Sequence, residues 1–331
     1  MNRIRLAIIG LGRFAALHAP ILAQMEQVEV TAICDINPDA FAPFQQWFPK
    51  AELFTDWQEM LSQRSFDAVD ILTPEPDHAA PALAALASGA HVFVEKPMAT
   101  SADEALQMMQ AAEKHGRVLM IGHVLRFDPR YREIKKRLAQ KQLGTIRSIY
   151  AKRANSRAYF SIYSRIDPVF ILGIHDIDLM HWYFEEEVRE VHARGSTDAG
   201  GRVDLSWAQL TFAGGGIGIL ENHWLLPEGA PNFMDVRMEI TGEAGKLVVQ
   251  EPEQAIVQVN QEKQEMPVFF AGYEDWNGRI RGALTEELEH FAACAATSRP
   301  SSLLRPHDAY RAVLVAEAVK QSMETGRVVQ L

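Results

Sequence analysis

Short apolar runs alternate with helical patterns over the first third of the chain. Five of the runs are almost continuously apolar, as strands covered on both faces of a parallel sheet are. The predicted strands are residues 6–9, 28–33, 68–72, 91–94 and 118–121, and the predicted helices between them are residues 14–25, 81–88 and 102–115. Ser101 and Glu104 form a capping box at the start of the last of these helices. This alternation predicts an α/β fold with a doubly wound parallel sheet.

The pattern changes after about residue 122. The predicted elements are a helix over 130–140, a strand over 146–153, a polar loop over 155–167 and a helix over 168–184 that is entered through Pro168. Strands joined by tight turns then run from 188 to 259, including 208–212, 217–220, 237–240 and 246–249, and helices over 286–296 and 309–325 close the chain. We expect two domains, residues 1–122 and 123–331, the second being α/β with an open, mostly antiparallel or mixed sheet. The last helix is expected to pack back on the first domain.

The first predicted strand runs directly into Gly10-Leu11-Gly12-Arg13-Phe14-Ala15, which is G-x-G-x-x-A at the start of a helix. The first glycine permits a tight turn, the second lets the backbone approach a pyrophosphate, and the small third residue lets helix and strand pack closely. The N-terminus of the helix also attracts an anion. The motif predicts a Rossmann domain that binds a dinucleotide through Gly10, Gly12, Arg13 and Phe14. The alternative is a glycine turn that holds no ligand.

Asp35 ends the second predicted strand, about 25 residues beyond Gly10. A carboxylate at this position accepts hydrogen bonds from the ribose hydroxyls of the adenosine and repels a 2′-phosphate. NAD is therefore the expected cofactor, and Arg13 keeps NADP possible.

Thr73, Pro74 and His78 follow the third predicted strand. Because open α/β sheets bind ligands at the carboxyl ends of their strands, we expect these residues to line the nicotinamide side of the cofactor. For His78 there is an equal alternative, a histidine that caps the next helix or is merely solvated.

Glu95-Lys96-Pro97 follows the fourth predicted strand, so an amine lies where a buried strand ends. A partly desolvated lysine has its pKa lowered, and it can then polarise a carbonyl or transfer a proton at neutral pH. Lys96 is therefore a candidate acid/base, and Glu95 and Lys96 are expected at the cofactor. The alternative is a solvated turn residue before a proline.

A second polar cluster, Gly173-Ile174-His175-Asp176-Ile177-Asp178, lies within a predicted helix. His175 and Asp178 are three residues apart, so they share a helix face that Trp182 continues. A histidine beside a lysine is a plausible proton-transfer pair for alcohol oxidation, which makes His175 a catalytic candidate and Asp178 a substrate candidate. The alternative is a buried core histidine among solubilising aspartates. Arg126 is expected to contact substrate or cofactor, or else to brace the hinge between the domains.

Composition and charge narrow the function classes. The chain has 331 residues, of which 47% are hydrophobic and 23% charged, and its formal net charge is −10. Nucleic-acid and anionic-membrane surfaces are basic, so a small molecule is the expected partner. The two cysteines, Cys34 and Cys294, offer neither a disulfide framework nor metal-ligand spacing, so we expect no metal and a reducing, cytoplasmic location. No run has the roughly 20 apolar residues needed to span a bilayer, and the N-terminus lacks a signal-peptide core.

Five segments, taken in chain order, together resemble one protein family. They are the glycine turn, Glu95-Lys96-Pro97, Gly122-His123-Val124-Leu125-Arg126-Phe127-Asp128-Pro129, the segment 173–178, and Ser322-Met323-Glu324-Thr325-Gly326-Arg327-Val328-Val329. The chain is similar to the Gfo/Idh/MocA oxidoreductases, the glucose-fructose oxidoreductase and inositol dehydrogenase group. The resemblance implies a second domain that binds substrate and forms homodimers or homotetramers. It also implies NAD(P)-dependent hydride transfer on a secondary alcohol or ketone of a sugar or polyol, with Lys96 and His175 catalytic and the Lys96–Pro97 bond often cis.

One position departs from the family pattern. Relatives usually carry an aspartate four residues before the catalytic histidine, and this chain has Ile171 there. Either Lys96 and His175 suffice, or Asp176 or Asp178 stands in for the missing carboxylate. The departure keeps two alternatives open: a glycosidase-like enzyme that retains its NAD, and a non-catalytic dinucleotide-binding sensor or regulator.

Overall fold

The structure is a computed structural model that describes residues 3–251, 258–259, 264–265 and 272–331. The described residues form two compact units, one of residues 3–127 and 272–310, the other of residues 128–251, 258–259, 264–265 and 311–331. The expected division placed residues 272–310 in the second domain, whereas they pack within the first unit. The part of the predicted strand region that falls on residues 252–257 lies outside the described residues.

The strands are numbered in chain order. They are β1 Ile4–Ile9, β2 Val28–Cys34, β3 Glu52–Phe54, β4 Ala68–Ile71, β5 His91–Val94, β6 Leu119–Ile121, β7 Ile146–Ser156, β8 Val188–Thr197, β9 Val203–Phe212, β10 Ile217–Leu226, β11 Met234–Gly242, β12 Gly245–Glu251, β13 Gln258–Val259, β14 Gln264–Glu265, β15 Tyr273–Glu274, β16 Ile280–Arg281 and β17 Val329–Gln330.

The helices are numbered in the same way. They are α1 Arg13–Gln24, α2 Ala42–Gln45, α3 Trp57–Gln63, α4 Ala79–Ala87, α5 Ala102–His115, α6 Pro129–Ala139, α7 Phe160–Tyr163, α8 Ile174–Phe184, α9 Ala283–Thr297 and α10 Pro306–Thr325. The capping serine of α5 is confirmed, because Ser101 Oγ accepts a hydrogen bond from the backbone N–H of Glu104 at 3.5 Å.

The first unit contains a six-stranded, fully parallel sheet in the order β3-β2-β1-β4-β5-β6. The predicted doubly wound sheet is confirmed. The strand order reverses between β1 and β4, and a sheet of this type binds its ligand outside the carboxyl ends of the strands at that point. The edge strand β3 escaped prediction because it has three residues and Glu52 and Leu53 are exposed.

The helix α9 explains why residues 272–310 belong to the first unit. It packs against α1 and β1. Leu288, Phe291 and Ala292 of α9 are buried in one apolar cluster with Ile8 and Phe93 of the parallel sheet. The helix therefore covers the first sheet although it follows the second sheet in sequence.

The second unit contains a seven-stranded sheet in the order β12-β11-β7-β10-β9-β8-β17. The pair β7 and β10 is parallel and the other neighbours are antiparallel, which confirms the expected mixed, mostly antiparallel sheet. Along β9, β10 and β11 buried residues alternate with more exposed ones. One face of the sheet is thus packed and the other is open.

Two predicted elements of this unit were wrong in part. Residues 155–167, expected to be a loop, contain a 3₁₀ turn over Arg157–Tyr159 and the short helix α7. The helix expected over residues 168–184 begins instead as a π-helix over Val169–Gly173, and regular α-helix starts only at Ile174.

In the part of the chain that the structure describes, no helix is both long enough and apolar enough to cross a membrane.

Candidate cofactor and active site

The two glycines of the turn after β1 have different reasons for being glycine. Gly10 has φ +92°, and a Cβ there would lie 2.7 Å from the backbone of Leu72 and Thr73. Gly12 precedes the first residue of α1, and a Cβ there would meet no atom within 4 Å. Gly10 therefore lets β1 and β4 approach, while Gly12 leaves its backbone open to a ligand at the helix N-terminus.

Asp35 lies at the carboxyl end of β2 and is bound to the glycine turn. Its Oδ2 accepts a hydrogen bond from the backbone N–H of Leu11 at 2.8 Å, and its Oδ1 accepts one from the N–H of Asn37 at 2.8 Å. Each carboxylate oxygen can accept a further hydrogen bond. The arrangement suits a hydroxyl donor such as a ribose and disfavours a second anion.

These features fit a dinucleotide. The open backbone at Gly12 and the N-terminus of α1 would receive the pyrophosphate, and Asp35 would receive the ribose hydroxyls. Ala15 is fully buried, as the close packing of α1 on the sheet requires. Arg13 is exposed at the first position of α1.

His78 is buried, so the alternative of a solvated histidine is wrong. Its Nδ1 lies 2.8 Å from the carbonyl oxygen of Pro97, and its Nε2 lies 2.9 Å from that of Thr73. Burial lowers the pKa of His78, although both carbonyl contacts oppose this shift. The ring therefore ties the turn after β4 to the turn after β5, and its expected place at the nicotinamide stays a prediction. Pro74 is exposed beside it.

Lys96 is 7% exposed, so the alternative of a solvated turn residue is wrong. Its Nζ lies 5.4 Å from the centre of the Phe14 ring, within cation–π distance. Its backbone N–H donates a hydrogen bond to Glu95 Oε2 at 3.0 Å, and the Lys96–Pro97 peptide bond is cis. The side chain of a lysine at the end of β5 thus lies against the first turn of the helix that begins at the glycine turn.

A buried polar network that includes Glu95, the residue before Lys96, could not be predicted from the sequence pattern. His18 of α1 places its Nδ1 2.9 Å from Asp70 Oδ2 and its Nε2 3.5 Å from Glu95 Oε1, and all three side chains are buried. Burial lowers the pKa of His18, but the two carboxylates outweigh it and raise the pKa to about 10. The available signal was an aspartate in the middle of an apolar strand, at Asp70, since a buried charge needs a partner.

Arg126 is buried in an ion pair. Its Nη1 donates hydrogen bonds to the carbonyl oxygen of Leu303 at 2.7 Å and to Asp308 Oδ2 at 3.1 Å. Burial raises the pKa of Asp308, but Arg305 and Arg126 outweigh it and lower the pKa. This geometry supports a bracing role within the first unit, and the expected contact of Arg126 with a ligand stays a prediction.

His175 lies in the first turn of α8, directly after the π-helix. It is partly exposed, which does not fit a buried core histidine, while Asp178 on the same helix face is buried. A π-helical turn is rare and occurs frequently at functional sites. It also changes the spacing between Ile171 and His175, so Ile171 is not one regular α-helical turn before the histidine.

Asp176, one of the two proposed substitutes for the carboxylate that the family resemblance implies at the position of Ile171, is engaged in an ion pair. Its two oxygens accept hydrogen bonds from Arg153 Nε at 3.1 Å and Nη2 at 2.9 Å, and both side chains are buried. This bidentate pair joins α8 to β7. Asp178, the other proposed substitute, is also buried, and its role stays a prediction.

Ile171 itself packs in an apolar cluster with Leu172, Phe160 and Trp224. The ring of Tyr163 stacks on Trp224, with 5.5 Å between centres and 9° between planes. The position at which the family resemblance implies a carboxylate is therefore apolar in both its side chain and its surroundings.

The fold and the glycine turn together define a dinucleotide-binding protein of the Rossmann class with a second α/β unit. Family models confirm this: the oxidoreductase family's NAD-binding Rossmann fold matches residues 4–123, and the same family's C-terminal α/β domain matches residues 135–331. The chain belongs to the Gfo/Idh/MocA oxidoreductase family, and NAD is the cofactor of its first domain.

Similar proteins span the whole chain. An inositol 2-dehydrogenase/D-chiro-inositol 3-dehydrogenase of Shouchella clausii is 28% identical over 98% of this chain and 93% of that protein. Myo-inositol 2-dehydrogenase from Lactobacillus plantarum has a TM-score of 0.87 at 22% identity, with 100% of both chains covered. Scyllo-inositol dehydrogenase from Lactobacillus casei, solved with NAD(H) and scyllo-inositol, has a TM-score of 0.85 at 23% identity and 99% coverage of both chains. The two structural likenesses show that the fold is shared.

Proposed function

We propose that the protein is an NAD-dependent dehydrogenase that acts on a secondary alcohol of a polyol or sugar, or on the corresponding ketone. The observation that most strongly supports this proposal is the position of Lys96. Its amine lies 5.4 Å from the ring of Phe14, two residues after Gly12 in the turn that fits the cofactor. An acid/base group and a dinucleotide turn thus occur at one edge of the sheet, as alcohol oxidation requires.

The chemistry divides between the cofactor and the protein. NAD, when bound, supplies the hydride acceptor. Lys96 Nζ accepts the hydroxyl proton when an alcohol is oxidised and returns it when a ketone is reduced. General acid–base catalysis of this kind contributes about 10²- to 10⁴-fold to a rate.

His175, Asp178 and Arg126 are further proposals. His175 is partly exposed and follows the π-helix, which supports a role in proton transfer. Asp178, which is buried on the same helix face as His175, is proposed to stand in for the carboxylate that Ile171 does not provide. Arg126 has the least support as a ligand contact, because its guanidinium is buried against Asp308.

The relatives suggest the substrate class. Proteins named as inositol dehydrogenases match 92% or more of their own length with this chain. We therefore propose a cyclic polyol or a related carbohydrate as substrate. Ile171 and its apolar surroundings support a specialised substrate within this class.

Nicotinamide absorbance followed against a panel of inositols, linear polyols, sugars, sugar acids and their keto forms tests the proposed function. We expect NADH to form with at least one alcohol and to disappear with the matching ketone. Hydrolysis of a sugar conjugate without net NADH would identify the glycosidase-like alternative instead. Tight NAD binding without turnover of any panel member would identify a sensor.

Assembly and location are also proposals. The Gfo/Idh/MocA resemblance supports a homodimer or homotetramer, to be measured by light scattering of the purified protein. A cytoplasmic location is supported by Cys34 and Cys294, which are both buried, unpaired thiols.

A further inference from the structure

One face of α1 contacts both charged residues of the Glu95-Lys96-Pro97 turn. Phe14 and His18 are four residues apart on this helix and therefore share a face. The ring of Phe14 lies under Lys96 Nζ, and His18 Nε2 lies 3.5 Å from Glu95 Oε1. We propose that His18 is a positioning residue, which places Lys96 for proton transfer by holding the Glu95 carboxylate.

The connection from His18 to Lys96 runs through the two oxygens of one carboxylate. Glu95 Oε1 faces the imidazole, and Oε2 accepts the hydrogen bond from the backbone N–H of Lys96. The backbone N–H of Glu95 is held in turn by the carbonyl oxygen of Ile71 in β4. Rotation of the Glu95 side chain would therefore break its contact with the backbone of Lys96.

The surroundings leave the Glu95 carboxylate little freedom. A Cβ on Gly122, at the end of β6, would lie 3.1 Å from Glu95 Oε1 and 3.2 Å from the Phe93 ring. That ring also packs edge-on against His18 at 5.7 Å. Helix α1 and the strands β5 and β6 thus enclose one carboxylate, whose charge requires a cationic neighbour in a buried site.

Asp70 holds the other side of His18. Its Oδ2 lies 2.9 Å from Nδ1, so the imidazole lies between two carboxylates. When it is charged, the ring donates a hydrogen bond to Asp70 through Nδ1 and forms an ion pair with Glu95 on the side of Nε2. The contact of His18 with Asp70 is shorter than its contact with Glu95. If His18 only stabilised the fold, loss of the Asp70 contact would therefore have the larger effect.

The two ring nitrogens can be tested separately. An asparagine amide places its nitrogen near the position of Nδ1, toward Asp70, and a glutamine amide places its nitrogen near that of Nε2, toward Glu95. If His18 positions Lys96, His18→Gln retains the position of the lysine better than His18→Asn. A purely structural role predicts the reverse order.

The first readout is the NMR signal of the Lys96 ε-methylene in ¹³C-lysine-labelled protein. The Phe14 ring shifts this signal by its ring current, Phe14→Leu abolishes the shift, and Lys96→Met assigns the signal. We expect His18→Gln to keep the shift and His18→Asn to lose it. Retention of the shift in His18→Asn, or its loss in His18→Gln only, would overturn the proposal.

The second readout is turnover, which rests on the proposed function. At saturating NAD and substrate we expect kcat to fall about tenfold in His18→Gln and about 100-fold in His18→Asn, with the Kd for NAD within about threefold of wild type. The control is His91→Asn, which removes another buried histidine of the first unit, one that accepts a hydrogen bond from Val118 N–H at 2.9 Å. It should lower the melting temperature without moving the Lys96 signal.

The two readouts separate the two proposals. If no panel substrate is turned over but the ε-methylene shift follows the expected order, the proposed function fails, whereas the inference that His18 sets the position of the Lys96 side chain stands. If turnover is found but both variants keep the Lys96 signal and lose activity only in proportion to stability, the positioning role fails and the proposed function stands.

Discussion

The backbone N–H of Leu11 donates a hydrogen bond to Asp35 Oδ2 at 2.8 Å, so the glycine turn after β1 is tied to the end of β2. The sequence assigned Asp35 to a ribose only. In the structure the same carboxylate also shapes the turn that would receive the pyrophosphate. Cofactor preference and the conformation of the turn therefore depend on one side chain.

Alanine at the two turn glycines should affect different properties: stability at Gly10 and cofactor affinity at Gly12. Gly10 has a left-handed backbone conformation, and Gly10→Ala also puts a methyl group 2.7 Å from the backbone of Leu72. The substitution should therefore lower the free energy of unfolding by about 3 kcal/mol or more. Gly12→Ala meets no atom and should leave stability within about 0.5 kcal/mol while raising the Kd for NAD at least about tenfold. Urea unfolding and cofactor titration of both variants measure this, and unchanged NAD affinity in Gly12→Ala would contradict the placement of the cofactor.

Asp35→Asn should reduce the preference for NAD over NADP by about tenfold or more, because it removes the negative charge that repels a 2′-phosphate. The amide oxygen can still accept the hydrogen bond from Leu11. Fluorescence titration with both cofactors gives the ratio of the two Kd values. Glu29→Gln is the matched control, because it neutralises an exposed carboxylate of β2, the strand that precedes Asp35. It should leave the ratio of the two Kd values unchanged.

Arg126→Gln should destabilise the protein by about 3 kcal/mol, because it leaves the buried Asp308 carboxylate without one of its cationic partners. The Kd for NAD, measured well below the melting temperature, should stay within about threefold of wild type. A large rise in that Kd with little loss of stability would show instead that Arg126 contacts the cofactor.

The imidazolium of His18 should make stability depend on alkaline pH. Its pKa is raised from 6.5 to about 10 in the folded protein, so its stabilising contribution is complete below pH 6.5 and is lost as the pH rises to about 10. Over this window the free energy of unfolding of wild type should fall by up to about 1.4 kcal/mol per pH unit relative to His18→Asn. Urea unfolding of both proteins at several pH values provides the comparison, and parallel pH profiles would contradict the charged network.

The parallel sheet could be predicted from sequence because its strands are buried on both faces and read as apolar runs. The strand over His91–Val94 and the helix over Ala102–His115 have the predicted bounds. The glycine turn was predictable for a related reason, since its residue types have specific backbone and packing requirements. Both are local properties that a short stretch of chain expresses on its own.

What escaped prediction depends on contacts between distant segments. His18 and Glu95 are 77 positions apart in sequence, and only the packing of α1 on the sheet brings them together. The π-helix over Val169–Gly173 has the same apolar pattern as an α-helix, so its wider turn could not be predicted from that pattern. The ion pair of Asp176 escaped prediction because its partner, Arg153, lies on another element.

The central claim is that Lys96 handles the proton of the reaction, and Lys96→Met tests it most directly because methionine removes the amine and keeps an unbranched apolar side chain of similar size beside Phe14. With a substrate found in the panel, kcat should fall by about 10²- to 10⁴-fold, and the Kd for NAD should change by less than about threefold. Equal losses in kcat and in NAD affinity would show that Lys96 binds the cofactor without taking part in proton transfer, and they would contradict the account.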